Sequence, residues 1–133
     1  MARAFIYVVN RNAQAVAADG VVNPGNIVRR YGCAFGVNND AVTVEGEGYY
    51  SIDAAVTVAV EAAGDITATL YKDGEAIPGA VATVTAAQIG DLVTLPIVAG
   101  IRKTCCDSSV SFITCALSAA GTVQNYALRA EKE

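Results

Sequence analysis

From Gly48 to Val60 the chain reads GYYSIDAAVTVAV, and alternate positions carry different chemistry. Tyr50, Ile52, Ala54, Val56, Val58 and Val60 form an apolar series, whereas Tyr49, Ser51, Asp53, Ala55, Thr57 and Ala59 are mostly small, polar or charged. A strand sends successive side chains to opposite faces, so this period of two predicts a half-buried antiparallel strand. Shorter stretches of the same kind follow: AVTVE (41–45), ITATLY (66–71), AVATVTA (80–86), DLVTLPIV (91–98), SVSFITCALS (109–118) and TVQNYALRA (122–130). In DLVTLPIV, Val93, Leu95 and Ile97 share a face, and Pro96, which has no N–H for a ladder, predicts an edge position. In SVSFITCALS the apolar parity shifts between Phe112 and Ile113, which predicts a bulge.

Turn residues punctuate these runs. KDGE (72–75) carries the Asp-Gly pair that tight hairpins prefer, because Gly adopts positive φ without steric cost. The Ala-rich pieces AVAADG (15–20) and TAAQIG (85–90) could each form one helical turn, but no segment has the length and period of an amphipathic helix. About eight strands with short turns predict an all-β antiparallel sandwich or barrel.

The start of the chain differs. FIYVV (5–9) is apolar at both parities, so a strand here would need cover on both faces. The breaker-rich ADGVVNPGN (18–26) follows it and predicts a division into an N-terminal attachment arm, 1–26, and a β-domain, 27–133. Phe5, Ile6, Tyr7, Val8 and Val9 are the candidate attachment residues.

Composition narrows the functional classes. The 133 residues suit one domain, and although 53% are hydrophobic, no apolar run approaches the roughly 18 residues of a membrane span. MARAFIYVVNRN turns polar too early for a secretory signal, so the expectation is a soluble protein without a membrane partner. Thirteen acidic residues against nine basic ones give a net charge of −4, the wrong sign for neutralising phosphates, which argues against a nucleic-acid partner. The chain has no histidine, and so lacks the usual general base and the commonest metal ligand. Glu45 and Glu47 have a spacing that a glycosidase pair could use, but a strand running into a turn produces the same pattern. Asp65, Asp73, Asp91 and Asp107 stand at turns, where Asp bonds nearby amides. These features predict a protein that is not an enzyme and carries no cofactor.

Cys33, Cys105, Cys106 and Cys115 are a candidate thiol cluster without the Cys-x-x-Cys spacing of a zinc knuckle. Reduced buried thiols, a disulfide or interchain bridge, and a metal site remain alternatives. The six tyrosines could rim a binding surface, but also suit core and subunit contacts.

Three motifs in order, GEGYYSID, ATLYKDGEAIPG and IGDLVTLPIV, resemble the tumour-necrosis-factor-like jelly roll, the fold also of complement-type globular heads. The matching positions are Gly48 with Tyr50, Leu70 with Asp73 and Gly74, and Gly90 and Asp91 with Val93 and Leu95. With its opening segment and the CCD at 105–107, the chain is similar in particular to small bacteriophage head-fibre or capsid decoration proteins. The resemblance implies a jelly roll assembled as a homotrimer on the virion surface after synthesis in the bacterial cytoplasm, with the N-terminal arm bound to a capsid or other virion protein. A tail-associated adhesin or receptor-binding module is the alternative. It would recognise a host surface glycan or protein through loops such as DSSVS (107–111) and AAGTV (119–123).

Overall fold

The computed structural model describes residues 4–38, 40–103 and 110–132. It contains eleven strands and no helix among them: β1 (Ala4–Asn10), β2 (Gln14–Val16), β3 (Asn26–Tyr31), β4 (Phe35–Asn38), β5 (Ala41–Glu45), β6 (Gly48–Val60), β7 (Gly64–Lys72), β8 (Glu75–Ala86), β9 (Leu92–Lys103), β10 (Val110–Leu117) and β11 (Gly121–Lys132). One antiparallel sheet has the order β3-β1-β11-β6-β9, with β2 also paired to β11; the other has the order β4-β5-β10-β7-β8. From β5 onward only β7 and β8 are consecutive strands that pair, because every other connection crosses between the sheets. The architecture is the expected all-β sandwich of jelly-roll type.

Alternation builds the core. The apolar parity of β6 turns inward, and Ile52, Val56 and Val58 are fully buried against Ile66, Leu70, Ile113 and Leu117 of the opposite sheet. Each such side chain contributes roughly 1.5–3 kcal/mol relative to exposure. Pro96 lies on β9, an edge strand, as expected from its missing N–H.

The hairpin at KDGE is realised in full. Lys72 pairs with Glu75, while Asp73 and Gly74 have φ of 52° and 87°. Positive φ at both central residues is the type I′ geometry, whose twist matches that of the flanking strands.

Three sequence expectations need correction. The strand number is eleven, because β2, β3 and β4 escape the alternation test. The Ala-rich pieces form strand ends and turns: Val16 closes β2 and Ala86 closes β8. β10 has no bulge, since its pairing with β5 and β7 runs without a register shift. Ser111 points inward there and accepts a hydrogen bond from the buried Lys103 ammonium at 2.9 Å, leaving Phe112 to face outward. The register shifts fall elsewhere, opposite Tyr7–Val8 in β3, at Val123–Asn125 in β11, and at Thr69–Tyr71 opposite β8.

The N-terminal segment is built into the sandwich. Residues 4–10 form a strand inside the six-stranded sheet, hydrogen-bonded to β11 on one side and β3 on the other, and Ile6 and Val8 are fully buried. β2 then pairs with the first turn-side residues of β11, and residues 19–22 run beside β10 of the other sheet through Asp19 N–H to Leu117 O, Leu117 N–H to Gly20 O and Val22 N–H to Cys115 O. The segment straps both sheets together, and Val16 and Val22 enter the same core. The division at residue 26 therefore does not divide the core.

Candidate functional site

The six-stranded sheet turns one face to the core and the other away from the molecule. On β6 the outward series is Tyr49, Ser51, Asp53, Ala55, Thr57 and Ala59, small side chains apart from Tyr49. Register aligns this series with its neighbours. Ala55 stands between Ala127 of β11 and Pro96 of β9, and Asp53 stands between Arg129 and Val98. One side of the outward face is thus nearly flat, and its β9 edge exposes Leu92 and Val98.

The other side, carried by β1 and β3, is bulkier. Phe5 and Tyr31 stack with centroids 5.9 Å apart, and Tyr7 and Val9 continue the outward series of β1. The candidate attachment residues therefore split by parity: Phe5, Tyr7 and Val9 are half-buried on the outward face, whereas Ile6 and Val8 belong to the core. Between the two halves Arg129 binds Asp53 and also Glu131, the latter at 3.2 Å. The hydrogen bond to Asp53 is the main reason the Arg129 guanidinium is held above its ordinary range. All three side chains keep solvent contact, so the cluster orders the face and adds little stability.

The motif residues hold turns and core positions. Gly48, with φ of 144°, leads into Tyr50, whose hydroxyl donates toward the carbonyls of Glu45 and Gly46. Leu70 and Leu95 are fully buried and Val93 packs against the core. Gly90, with φ of 86°, donates to Val60 O, while the Asp91 carboxylate accepts from Gln88 N–H at 3.0 Å, so the pair fixes the chain just before β9. Of the motif residues, Asp73 also lines an open cleft beside Lys72, Glu75 and Arg102.

Two of the four cysteines can be placed. Cys33 is exposed between β3 and β4, whereas Cys115 is buried in β10, and both are free thiols. Burial pushes the Cys115 thiol up to about 12. The structure does not bring these two together; Cys105 and Cys106 lie outside the described residues, as does most of the DSSVS loop. Among the described residues no three Cys, Asp or Glu side chains gather as metal ligands. Glu45 and Glu47 are both exposed, at the end of β5 and in the following turn. A polar cleft at the foot of β1, formed with the start of β3, had no signature in the sequence beyond the scattered asparagines of residues 10–26.

No protein-family model matches the sequence, and the curated proteins give no match. Solved structures do. Murine APRIL is similar with a TM-score of 0.75 at 13% identity, covering 98% of each chain. The PRD1 vertex protein P5 gives 0.64 at 10% identity, over 99% of this chain and 98% of that one. The globular domain of zebrafish complement 1qA protein gives 0.61 at 8% identity, over 97% and 95%. The fold is that of the tumour-necrosis-factor-like jelly roll, and none of these compared structures is an enzyme.

Proposed function

We propose that the protein is a structural component of a virion surface, a homotrimeric bacteriophage head-fibre or capsid decoration protein. The observation that carries this reading is the outward face of the six-stranded sheet. Its small side chains at Ala55, Thr57, Ala59 and Ala127 permit close approach of another subunit, and exposed Leu92 and Val98 at the β9 edge supply apolar surface to bury there. The jelly-roll fold, shared with a phage vertex protein, supports the same reading.

In this reading the flat half of the face makes the subunit contact, and attachment to the particle runs through the bulkier half around β1, where Phe5, Tyr7 and Val9 remain half-buried in the isolated chain. The test is native mass in reducing and non-reducing buffer. A species of three times the 13.6 kDa chain mass in both is expected. Ala55→Arg together with Ala127→Arg should reduce it to a monomer, and Phe5→Ser with Tyr7→Ser should leave the trimer intact while removing binding to purified particles lacking the protein. A wild-type monomer at micromolar concentration would overturn the reading.

A further inference from the structure

At the foot of β1 lies a cleft of about 400 Å³, lined by Asn10, Arg11, Asn12, Asn23, Asn26 and Val28, among others. Its size falls in the roughly 300–1,000 Å³ range of small-ligand pockets.

The walls are fixed by hydrogen bonds. The Asn10 amide donates to Asn23 O at 3.1 Å and its oxygen accepts from Asn12 N–H at 3.0 Å. Asn23 is held on every side: its N–H donates to the Gln14 side-chain oxygen, its carbonyl also accepts from the Gln14 amide, its own amide donates to Asp40, and its side-chain oxygen accepts from Gly25 N–H. Gly25 lets the walls close, because a Cβ there would sit 2.5 Å from Val9 O. By contrast, no hydrogen bond within the described residues holds the side chains of Arg11, Asn12 or Asn26. A fixed backbone frame thus carries three exposed polar side chains that are free to turn toward a ligand.

We infer that this cleft is a binding site for a carboxylated sugar ring. An amide offers two donors and an acceptor oxygen, and a sugar hydroxyl both donates and accepts, so Asn12 and Asn26 match neighbouring hydroxyls. A sulfate only accepts, and an inorganic phosphate carries few hydroxyls beside its charged oxygens, so either matches the mixed donors and acceptors of the amides less fully than a sugar ring does. Arg11 is the cleft's one charged lining residue, and its planar fork fits a carboxylate. Half-exposed Val28 supplies an apolar contact for the C–H face of the ring. The site belongs to one chain and needs no second subunit, although Val9 in its lining is shared with the proposed attachment half of the face.

The test uses the full-length ¹⁵N-labelled protein titrated with D-glucuronate, D-glucose and inorganic phosphate. Glucuronate is expected to give saturable shifts at the backbone amides of Arg11, Asn12, Gly25 and Asn26. Glucose should shift the same amides with about tenfold weaker affinity, and phosphate should shift none. Arg11→Gln should make the two sugars equal, while Asn12→Ala with Asn26→Ala should abolish both responses, with spectral dispersion elsewhere confirming the fold. No saturable shift by either sugar up to about 50 mM, shifts centred on another region, equal responses to the two sugars in the wild type, or a phosphate response matching glucuronate would each overturn the assignment.

Discussion

The Tyr50 hydroxyl lies 2.6 Å from the Gly46 carbonyl oxygen, so β6 ties down the turn it has just left. The same hydroxyl is 2.8 Å from Glu45 O, and its ring meets Phe35 edge-on at 5.7 Å. Tyr50→Phe keeps the ring and removes the hydroxyl, and should cost about 1 kcal/mol. Tyr50→Ala should cost about 3–5 kcal/mol, because a buried aromatic is lost with it. Denaturant midpoints at unchanged m-value measure both, and equal costs would show that the ring contributes nothing beyond its hydroxyl.

Two glycines with nearly the same φ should respond differently to alanine. At Gly74, with φ of 87°, an added Cβ would meet nothing within 4 Å, so Gly74→Ala carries backbone strain alone, about 1–2 kcal/mol. At Gly25, with φ of 81°, the added Cβ would lie 2.5 Å from Val9 O and 2.6 Å from the Asn10 Cβ, so a steric clash adds to the strain. Gly25→Ala should lower Tm clearly further than Gly74→Ala. Equal shifts would mean that the β1–β3 junction yields freely.

Removal of residues 1–26 should prevent cooperative folding. It strips Ile6, Val8, Val16 and Val22 from the core and leaves one edge of β11 unpaired. Ile6→Ala alone should cost about 2–5 kcal/mol, whereas Tyr7→Ser, on the outward face, should cost under about 1 kcal/mol. A truncated chain that still melts in one sharp transition would restore the segment to the status of a separable arm.

Alkaline pH should destabilise the fold through Cys115. Its thiol titrates near 9.0 when unfolded and is pushed up to about 12 by burial. Above pH 9.0 the unfolded chain therefore binds fewer protons than the folded one, and stability falls with rising pH until about 12, by up to about 1.4 kcal/mol per pH unit. Burial also raises Tyr126 well above its ordinary value, and the nearby Cys115 thiolate adds to the effect. Cys115→Val should flatten the decline measured by urea melts between pH 8 and 11, relative to wild type. Mass-spectrometric mapping after brief native iodoacetamide treatment should find Cys33 alkylated and Cys115 spared.

The sheet architecture was legible where one face is buried and the other exposed. β6 shows this in its sequence, and Asp73-Gly74 shows its turn because two positive φ angles favour those residues there. β3 was not legible because all six of its residues are exposed, so no burial pattern marks its alternation. β10 misled because an outward phenylalanine and an inward serine invert the usual correlation, the serine being held by Lys103. The opening strand was read as needing cover on both faces; the sandwich buries Ile6 and Val8 and leaves Phe5, Tyr7 and Val9 half-buried on the outward face. The Pro-Gly step after it suggested a boundary, but in the folded chain it carries the strap from one sheet to the other. The cleft was hidden for a different reason: its residues come from two strands and two loops that only pairing brings together.

The register of β11 bears on synthesis as well as architecture. Its residues lie between β6 on one side and β1 and β2 on the other, the strands with which they exchange backbone hydrogen bonds. On a ribosome, those neighbours emerge long before residues 121–132, with no strand yet available to separate and satisfy them. The six-stranded sheet therefore closes only after the last of these residues leaves the exit tunnel, and until then the nascent chain carries two open strand edges that invite mispairing. Slow delivery of β11 or an early chaperone encounter should affect the yield of this fold more than its final stability.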